Sequence, residues 1–312
     1  MKIDEPEGTG FRYKHLKIPE AYTGVNNDRR LHVVGITGIA HEDRDELYIV
    51  NAKPSIDLAN GQLLDQVKMG GNSTIEQFAV GINEDMRLIK TWSDTRIATP
   101  NNIAPLGDGS FYFTNDHGPH KAGIRHKLSD ALRSGDVSFC RPGWGCKVVS
   151  SGHAFPNGLA LGRDGLLYVP SAALGSIQVY RPSQDGSVIK IGDVNVPMPL
   201  DNISPDAKGD LYVAGIPKVQ KMMAGFDDPL NVFPPATIWR LHAKRDGTYE
   251  VAKALEDRDA EALPGATTAV HDKRTGRLFI SGVYSAFVTV CEPKLLDGST
   301  DHKNEVVEVH EL

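Results

Sequence analysis

The chain has 312 residues, with 34 basic and 40 acidic side chains and a formal charge of −6. A chain this acidic, with an isoelectric point near 6.0, excludes a broad basic surface for nucleic acid. No run approaches the roughly 18 apolar residues of a membrane helix, and three cysteines with no C-x-x-C pair exclude a disulfide scaffold and a zinc ribbon.

The opening MKIDEPEGTGFRYKHL is charged and lacks the apolar stretch of a signal peptide. MKIDEP and FRYKHLKI read as the outer two strands of an incomplete first unit. From Ile36 a pattern starts that recurs along the chain. It is a polar residue, a short apolar alternation, a turn, and an aromatic-apolar run. The copies are ITGIAHEDRDELYIVN from Ile36, NNIAPLGDGSFYFTN from Asn101, NGLALGRDGLLYVPS from Asn157, DNISPDAKGDLYVAG from Asp201 and TTAVHDKRTGRLFISG from Thr267. With Thr37, Asn102, Asn157, Asn202 and Thr268 as equivalents, the spacings are 65, 55, 45 and 66.

Each copy is a strand, a tight turn and a second strand, and several turns carry DG, KG or TG, which suit positive φ. A further hairpin follows several copies: TIEQFAV with MRLIKTW, VSFC with CKVVSSG, SIQVYRP with VIKIGDV, TIWRLHA with TYEVAKALE. Four antiparallel strands in about 45 to 65 residues make a propeller blade. The sequence predicts an all-β, six-bladed β-propeller over residues 1–312 as one domain, with four-stranded antiparallel blades and a first blade lacking its inner pair. EVVEVHEL at the end is expected to pair with an exposed edge and help close the ring.

Cys140 and Cys146 flank RPGWG and either bridge that hairpin or stay reduced; Cys291 is the odd one out. Sequons stand at Asn72 and Asn202. One stretch, HKAGIRHKLSDALRSG from His120, has helical spacing at Ile124, Leu128 and Ala131/Leu132. It reads either as a lid over the channel or as a surface helix.

Inner strands of a propeller converge on its axis. Here they bring Asn102, Asn157, Asp201 and Asn202 toward Thr114, Asn115, Asp116 and His117. Each of these alone is an ordinary turn-former, but their recurrence at equivalent positions goes beyond what turns require. Hard oxygen donors from three blades suit calcium, whereas a soft-ligand site would show Cys and His. Tyr112, Phe113, Tyr168 and Tyr212 read as core between blades. His41, His120, His126 and His153 read as solvated or structural. There is no G-x-S-x-G elbow, Walker loop or strand-borne G-x-G-x-x-G.

TNDHG, FPNGLAL and LDNISPDAKGDLYVAG resemble the serum paraoxonase/arylesterase family, especially its fungal members, within the gluconolactonase-like and strictosidine-synthase-like six-bladed propellers. The likeness runs from about Gly35 to Glu292, with GATTAVHD and LFISGVYSAFVTVCE similar to the family's closing blade. It implies a calcium-dependent hydrolase of aryl esters and lactones with two channel ions. Asn115, Asn157, Asp201 and Asn202 would hold the catalytic one. Asp116, with the carbonyl of Ile36, would hold the buried one. His117 would support the main chain there.

The family's Glu-Asp pair on the first inner strand has no counterpart in this chain, which is expected to begin after that strand. Its proposed histidines fall at Val34, near Ala52, and at Ile216 or Pro217. Two readings follow: a calcium-dependent esterase or lactonase acting on a small molecule, weak in this chain, or a non-catalytic calcium-stabilised propeller that binds a ligand or partner.

Overall fold

Alternating apolar residues broken by glycine turns fold the chain as successive antiparallel hairpins. A computed structural model of the chain describes residues 2–3, 13–42, 44–81, 85–294 and 306–311. Near the start, β1 (Lys2–Ile3) and β2 (Tyr13–Lys14) form a short ladder. Five four-stranded sheets follow, each paired in chain order from its inner to its outer strand.

The first blade is β3 (Val33–Ala40), β4 (Asp45–Asn51), β5 (Thr74–Val80) and β6 (Met86–Trp92), with the one-turn helix α1 (Gln66–Met69) between β4 and β5. The second is β7 (Pro100–Pro105), β8 (Phe111–Asn115), β9 (Gly135–Arg141) and β10 (Gly145–His153). The third is β11 (Ala160–Leu161), β12 (Leu167–Pro170), β13 (Ser176–Pro182) and β14 (Val188–Asn195). The fourth is β15 (Leu200–Pro205), β16 (Leu211–Gly215), β17 (Ala236–Ala243) and β18 (Tyr249–Asp257). The fifth is β19 (Ala266–Asp272), β20 (Arg277–Gly282), β21 (Thr289–Lys294) and β22 (Val306–Glu311). All five repeat copies thus form the inner hairpin of a blade.

The blade count is corrected: the described residues form five four-stranded blades, not six, and among them no halved first blade is supported. Residues 15–32 instead run as a strap onto the first complete blade. Tyr22 donates its hydroxyl to Glu76 (3.1 Å), His32 N–H donates to Asn51 Oδ1 (2.8 Å), and the buried Lys53 pairs with Asp28. Beneath the strap, Tyr22 packs with Ile49, Phe78, Val80 and Met86, joined by Leu16 and Leu31. The terminal strand does pair with a sheet edge, that of β21. It is β22, the outer strand of its own blade.

The four remaining apolar clusters each draw residues from two consecutive blades. Phe111 and Phe113 of β8 meet Tyr48, Val50 and Trp92, for example, and Leu211 and Trp239 meet Tyr168 and Ile177. Tyr112, Phe113, Tyr168 and Tyr212 are buried, as expected of inter-blade core. Fully burying such side chains stabilises the fold by about 1.5 to 3 kcal/mol each.

The expected helix from His120 is two separate turns, α2 (Ile124–Lys127) and α3 (Ser129–Leu132). Neither has a side-chain N-cap, and Arg133 closes the second in the left-handed region. A longer helix, α4 (Val219–Asp227), follows the fourth blade's inner hairpin. No capping side chain announces it in sequence, and Gly225 lowers its propensity.

Cys140 and Cys146 are disulfide-bonded, directly opposite each other in the β9–β10 ladder, and Cys291 is buried and free. Closing so short a loop is worth about 2 kcal/mol. Cys146→Ser should therefore lower the melting temperature by several degrees. Mass spectrometry of unreduced peptides should show 140 and 146 joined, and two freely alkylated thiols in oxidised protein would refute the bridge.

Candidate functional site

In four of the five inner strands the register slips near the same end. The slips lie between Val33 and Ile36, Pro100 and Ile103, Leu200 and Ile203, and Ala266 and Thr268. A bulge leaves a residue unpaired and re-aims its neighbours. The residues freed include Asn101 and Asn102, Asp201 and Asn202, and Thr267. In the third blade β11 is only two residues long, and Asn157 stands before it with its N–H on Pro170 O at 3.0 Å. Gly158 follows because its backbone abuts the fourth blade: a Cβ there would lie 2.6 Å from Asn202 Cα.

A row of side chains crosses the channel. Thr37 Oγ1 donates to Asn102 Oδ1 (3.2 Å), Asn102 Nδ2 to Asn202 Oδ1 (2.7 Å), and Asn202 Nδ2 to the Thr267 carbonyl (3.0 Å). Four blades are tied by this bar. Asn202 lines cavities on both sides of it, one of about 540 Å³ and one of about 380 Å³.

Asp201, Asn157, Asn202 and Thr267 line the larger cavity together with Val34, Phe155, Ile216 and residues of α4. Asp201 is 8% exposed, and no cationic side chain stands among the groups acting on it. Burial pushes its carboxyl up to about 7, against the N–H of Asn202 and the Asn157 amide, which favour the charge; the nearby Asp116 carboxylate adds to the rise. Asn157 Oδ1 is buried without a hydrogen-bond partner. A buried acid beside an orphaned amide oxygen is an incomplete polar site.

The other residues singled out from sequence are arranged differently. Asn115 is fully buried and committed to its own blade. Its Oδ1 accepts from Ala98 and Thr99 N–H (3.2 and 3.0 Å), and its Nδ2 donates to Arg96 O and Asp136 Oδ1 (2.8 and 3.0 Å). Asp116 accepts from Asn101 Nδ2 at 3.1 Å. Ile36 lines the smaller cavity, with Asn102 and Asn202.

His117 stacks 3.9 Å from His126 and 4.8 Å from Phe155, and its ring nitrogen bonds Ser129. Burial outweighs the Asp116 carboxylate and holds its pKa below the ordinary imidazole range. Val34 and Ile216 line the larger cavity as apolar wall, whereas Ala52 and Pro217 are not among its lining residues. Among the described residues, no three His, Cys, Asp or Glu side chains gather at one metal-sized site. The oxygens at Asp201 are mainly amide oxygens.

Sequence reasoning missed Asn101, Asp130, Phe155 and α4. Phe155 adopts φ 45°, strained for a non-glycine residue, and lies on the cavity wall. Nothing local in the sequence announces it.

The arylesterase family model matches residues 56–292. The chain is 31% identical over 219 residues to serum paraoxonase/arylesterase 1 of Mus musculus and 28% identical over 225 residues to that of Homo sapiens. Each match takes in 68% of this chain and 59% of the relative, so the chain spans under two thirds of these relatives' length. Among solved structures, a candidate 6-phosphogluconolactonase from Bacteroides uniformis superposes with a TM-score of 0.52 at 13% identity, over 90% of this chain and 88% of that one. A second, from Bacteroides fragilis, gives 0.50 at 13% identity over 89% and 86%. These two likenesses support the propeller fold alone.

Asp201 should make the chelator-treated protein sensitive to pH. Its folded pKa, about 7, lies above the ordinary carboxylate value near 3.9, so the folded state binds the extra proton more tightly. Its penalty is absent below about pH 4, grows as pH rises, and is complete above about pH 7, at an order of magnitude of 4 kcal/mol. Asp201→Asn should flatten the fall in melting temperature between pH 5 and 8. An unchanged pH slope in that variant would show that another group carries it.

Proposed function

The chain belongs to the arylesterase family, and from that premise we propose that it hydrolyses esters or lactones in the larger cavity, with calcium as its cofactor. The observation carrying this reading is the buried Asp201 carboxylate beside the unpartnered Asn157 Oδ1 on the cavity wall. A hard cation would answer both, and calcium takes carboxylate and amide oxygens together.

Asn157, Asp201 and Asn202 would hold it, with Asn115 joining only if its Oδ1 leaves the N–H groups of Ala98 and Thr99. Asp116, with the Ile36 carbonyl, is the set proposed for a second ion. When bound, calcium supplies Lewis-acid polarisation of the substrate carbonyl. The chain's own residues do the rest. The Asn202 N–H and Asn157 amide orient Asp201, while Asn102 fixes the Asn202 amide. The apolar wall keeps water from the substrate's substituents.

No imidazole stands at Val34 or Ile216, so water attacks without that base, a loss that typically costs about 100- to 10,000-fold. Turnover is accordingly slow. The same lack of a histidine among the residues lining the larger cavity favours the second reading, a calcium-stabilised propeller that binds a small apolar ligand.

Calcium at 100 times its Kd should raise stability by about 2.7 kcal/mol, so chelation should lower the melting temperature and added calcium restore it. Asp201→Ala should abolish that response; His126→Ala should not. Phenyl ester and lactone turnover should be slow and lost with chelator or with Asp201→Ala. Turnover surviving both would remove Asp201 from the chemistry. No turnover with a calcium-dependent melting shift would select the binding protein.

A further inference from the structure

The wall of the larger cavity is organised around α4. Val219, Met222, Met223 and Phe226 all line it, at the i, i+3, i+4, i+7 spacing of one helix face. Met223 and Phe226 are each 59% exposed, so most of this apolar face lies open, while Met222 is buried. Phe155, Val34, Ile216 and Val283 line the cavity too, and among the described residues the charged lining is Asp130 and Asp201.

The loop between β20 and β21 of the fifth blade holds α4 in place. Tyr284 donates its hydroxyl to Met222 O at 2.5 Å, and its ring lies 5.4 Å from that of Phe226. Space for the ring exists because two residues lack side chains. A Cβ at Gly225 would lie 2.8 Å from Tyr284 Cζ, and one at Gly265 would lie 2.2 Å from Tyr284 Cδ2. With no side-chain N-cap of its own, the helix depends on this clasp for its position.

We propose that α4 selects the substrate: its Val219, Met222, Met223 and Phe226 face takes an uncharged alkyl or aryl substituent, and Tyr284 is the positioning residue that sets the width of the slot. This rests on the hydrolase reading for its link to Asp201. This open apolar face lines the same cavity as the buried carboxylate, so the substituents of a substrate held at Asp201 would lie against it. Methionines let the wall adapt to substituents of different shape. Each methylene seated on such a wall strengthens binding roughly fourfold. The slot therefore favours long-chain or aryl esters and alkyl-substituted lactones over short ones.

The test uses the full chain and the neutral fluorescent dye N-phenyl-1-naphthylamine, with melting temperature measured for every variant. Phe226→Ala and Met223→Asp should weaken dye binding by about tenfold or more. Tyr284→Phe should weaken it several-fold. Leu230→Asp, at a position 83% exposed and outside the cavity lining, should leave it unchanged. Straight-chain alkyl lactones should displace the dye from wild type with affinity rising per methylene, and that gradient should flatten in Phe226→Ala.

In turnover, Tyr284→Phe should raise KM for long-chain esters while kcat and the kinetics of a short acetate ester hold. Unchanged dye affinity in folded Phe226→Ala and Met223→Asp would overturn the proposal. Equal loss in Leu230→Asp would also overturn it, pointing to a surface patch for a larger partner. Dye binding that follows the expected pattern without any ester or lactone turnover would uphold the slot and reject the hydrolase reading instead.

Discussion

The slip of register near one end of the inner strands is the constraint on which the rest of the site depends. In an unbroken ladder, Asp201 and Asn202 would point to opposite faces of the sheet. The bulge between Leu200 and Ile203 lets both serve the channel. Equivalent slips put Asn101 beside Asp116 and aim Asn102 at Asn202. The cross-channel bar then converts these separate local irregularities into one rigid unit spanning blades far apart in sequence, and Asn202 becomes the partition between two cavities.

That unit carries an electrostatic tension. Asp201 is buried without a cationic side chain, next to a second carboxylate, and its charge is favoured only by the Asn202 N–H and the Asn157 amide. Contrast the carboxylates elsewhere. Glu76, also fully buried, collects hydrogen bonds from Tyr22, Asn51, Thr74 and Thr91. Asp206 pairs with His271 and Asp210 with Arg240 and His242. Where the fold needs a buried acid for structure, it supplies the donors. At Asp201 it supplies two neutral donors and no cation, and violations of local consistency of this kind concentrate at functional sites.

The Glu76 network also explains why a sixth blade was expected where the described residues form none. Short apolar runs near the start look like outer strands when read alone. Their neighbours instead carry Tyr22, Asn26 and Asp28, which reach buried polar groups of the first blade: Glu76, the Pro54 carbonyl and Lys53. A polar strap of this sort has no periodicity to betray it, because its partners lie 19 or more residues away.

By itself the sequence determined the four-strand repeat, the inner hairpins, the aromatic core between blades, and the oxygen-rich residues at repeat-equivalent positions. These rest on period-two alternation and turn chemistry, which act over a few residues and leave a local signature. Tertiary structure alone decided the number of blades, the commitment of Asn115 to its own scaffold, and the orphaned oxygen of Asn157. It also decided that α4, rather than the segment after His120, supplies most of the helical wall. Each of these depends on which distant groups meet. Asn115 and Asn157 were both expected to hold one ion, but two backbone N–H groups of the segment leading into β7 claim the oxygen of Asn115, while among the described residues nothing claims the other.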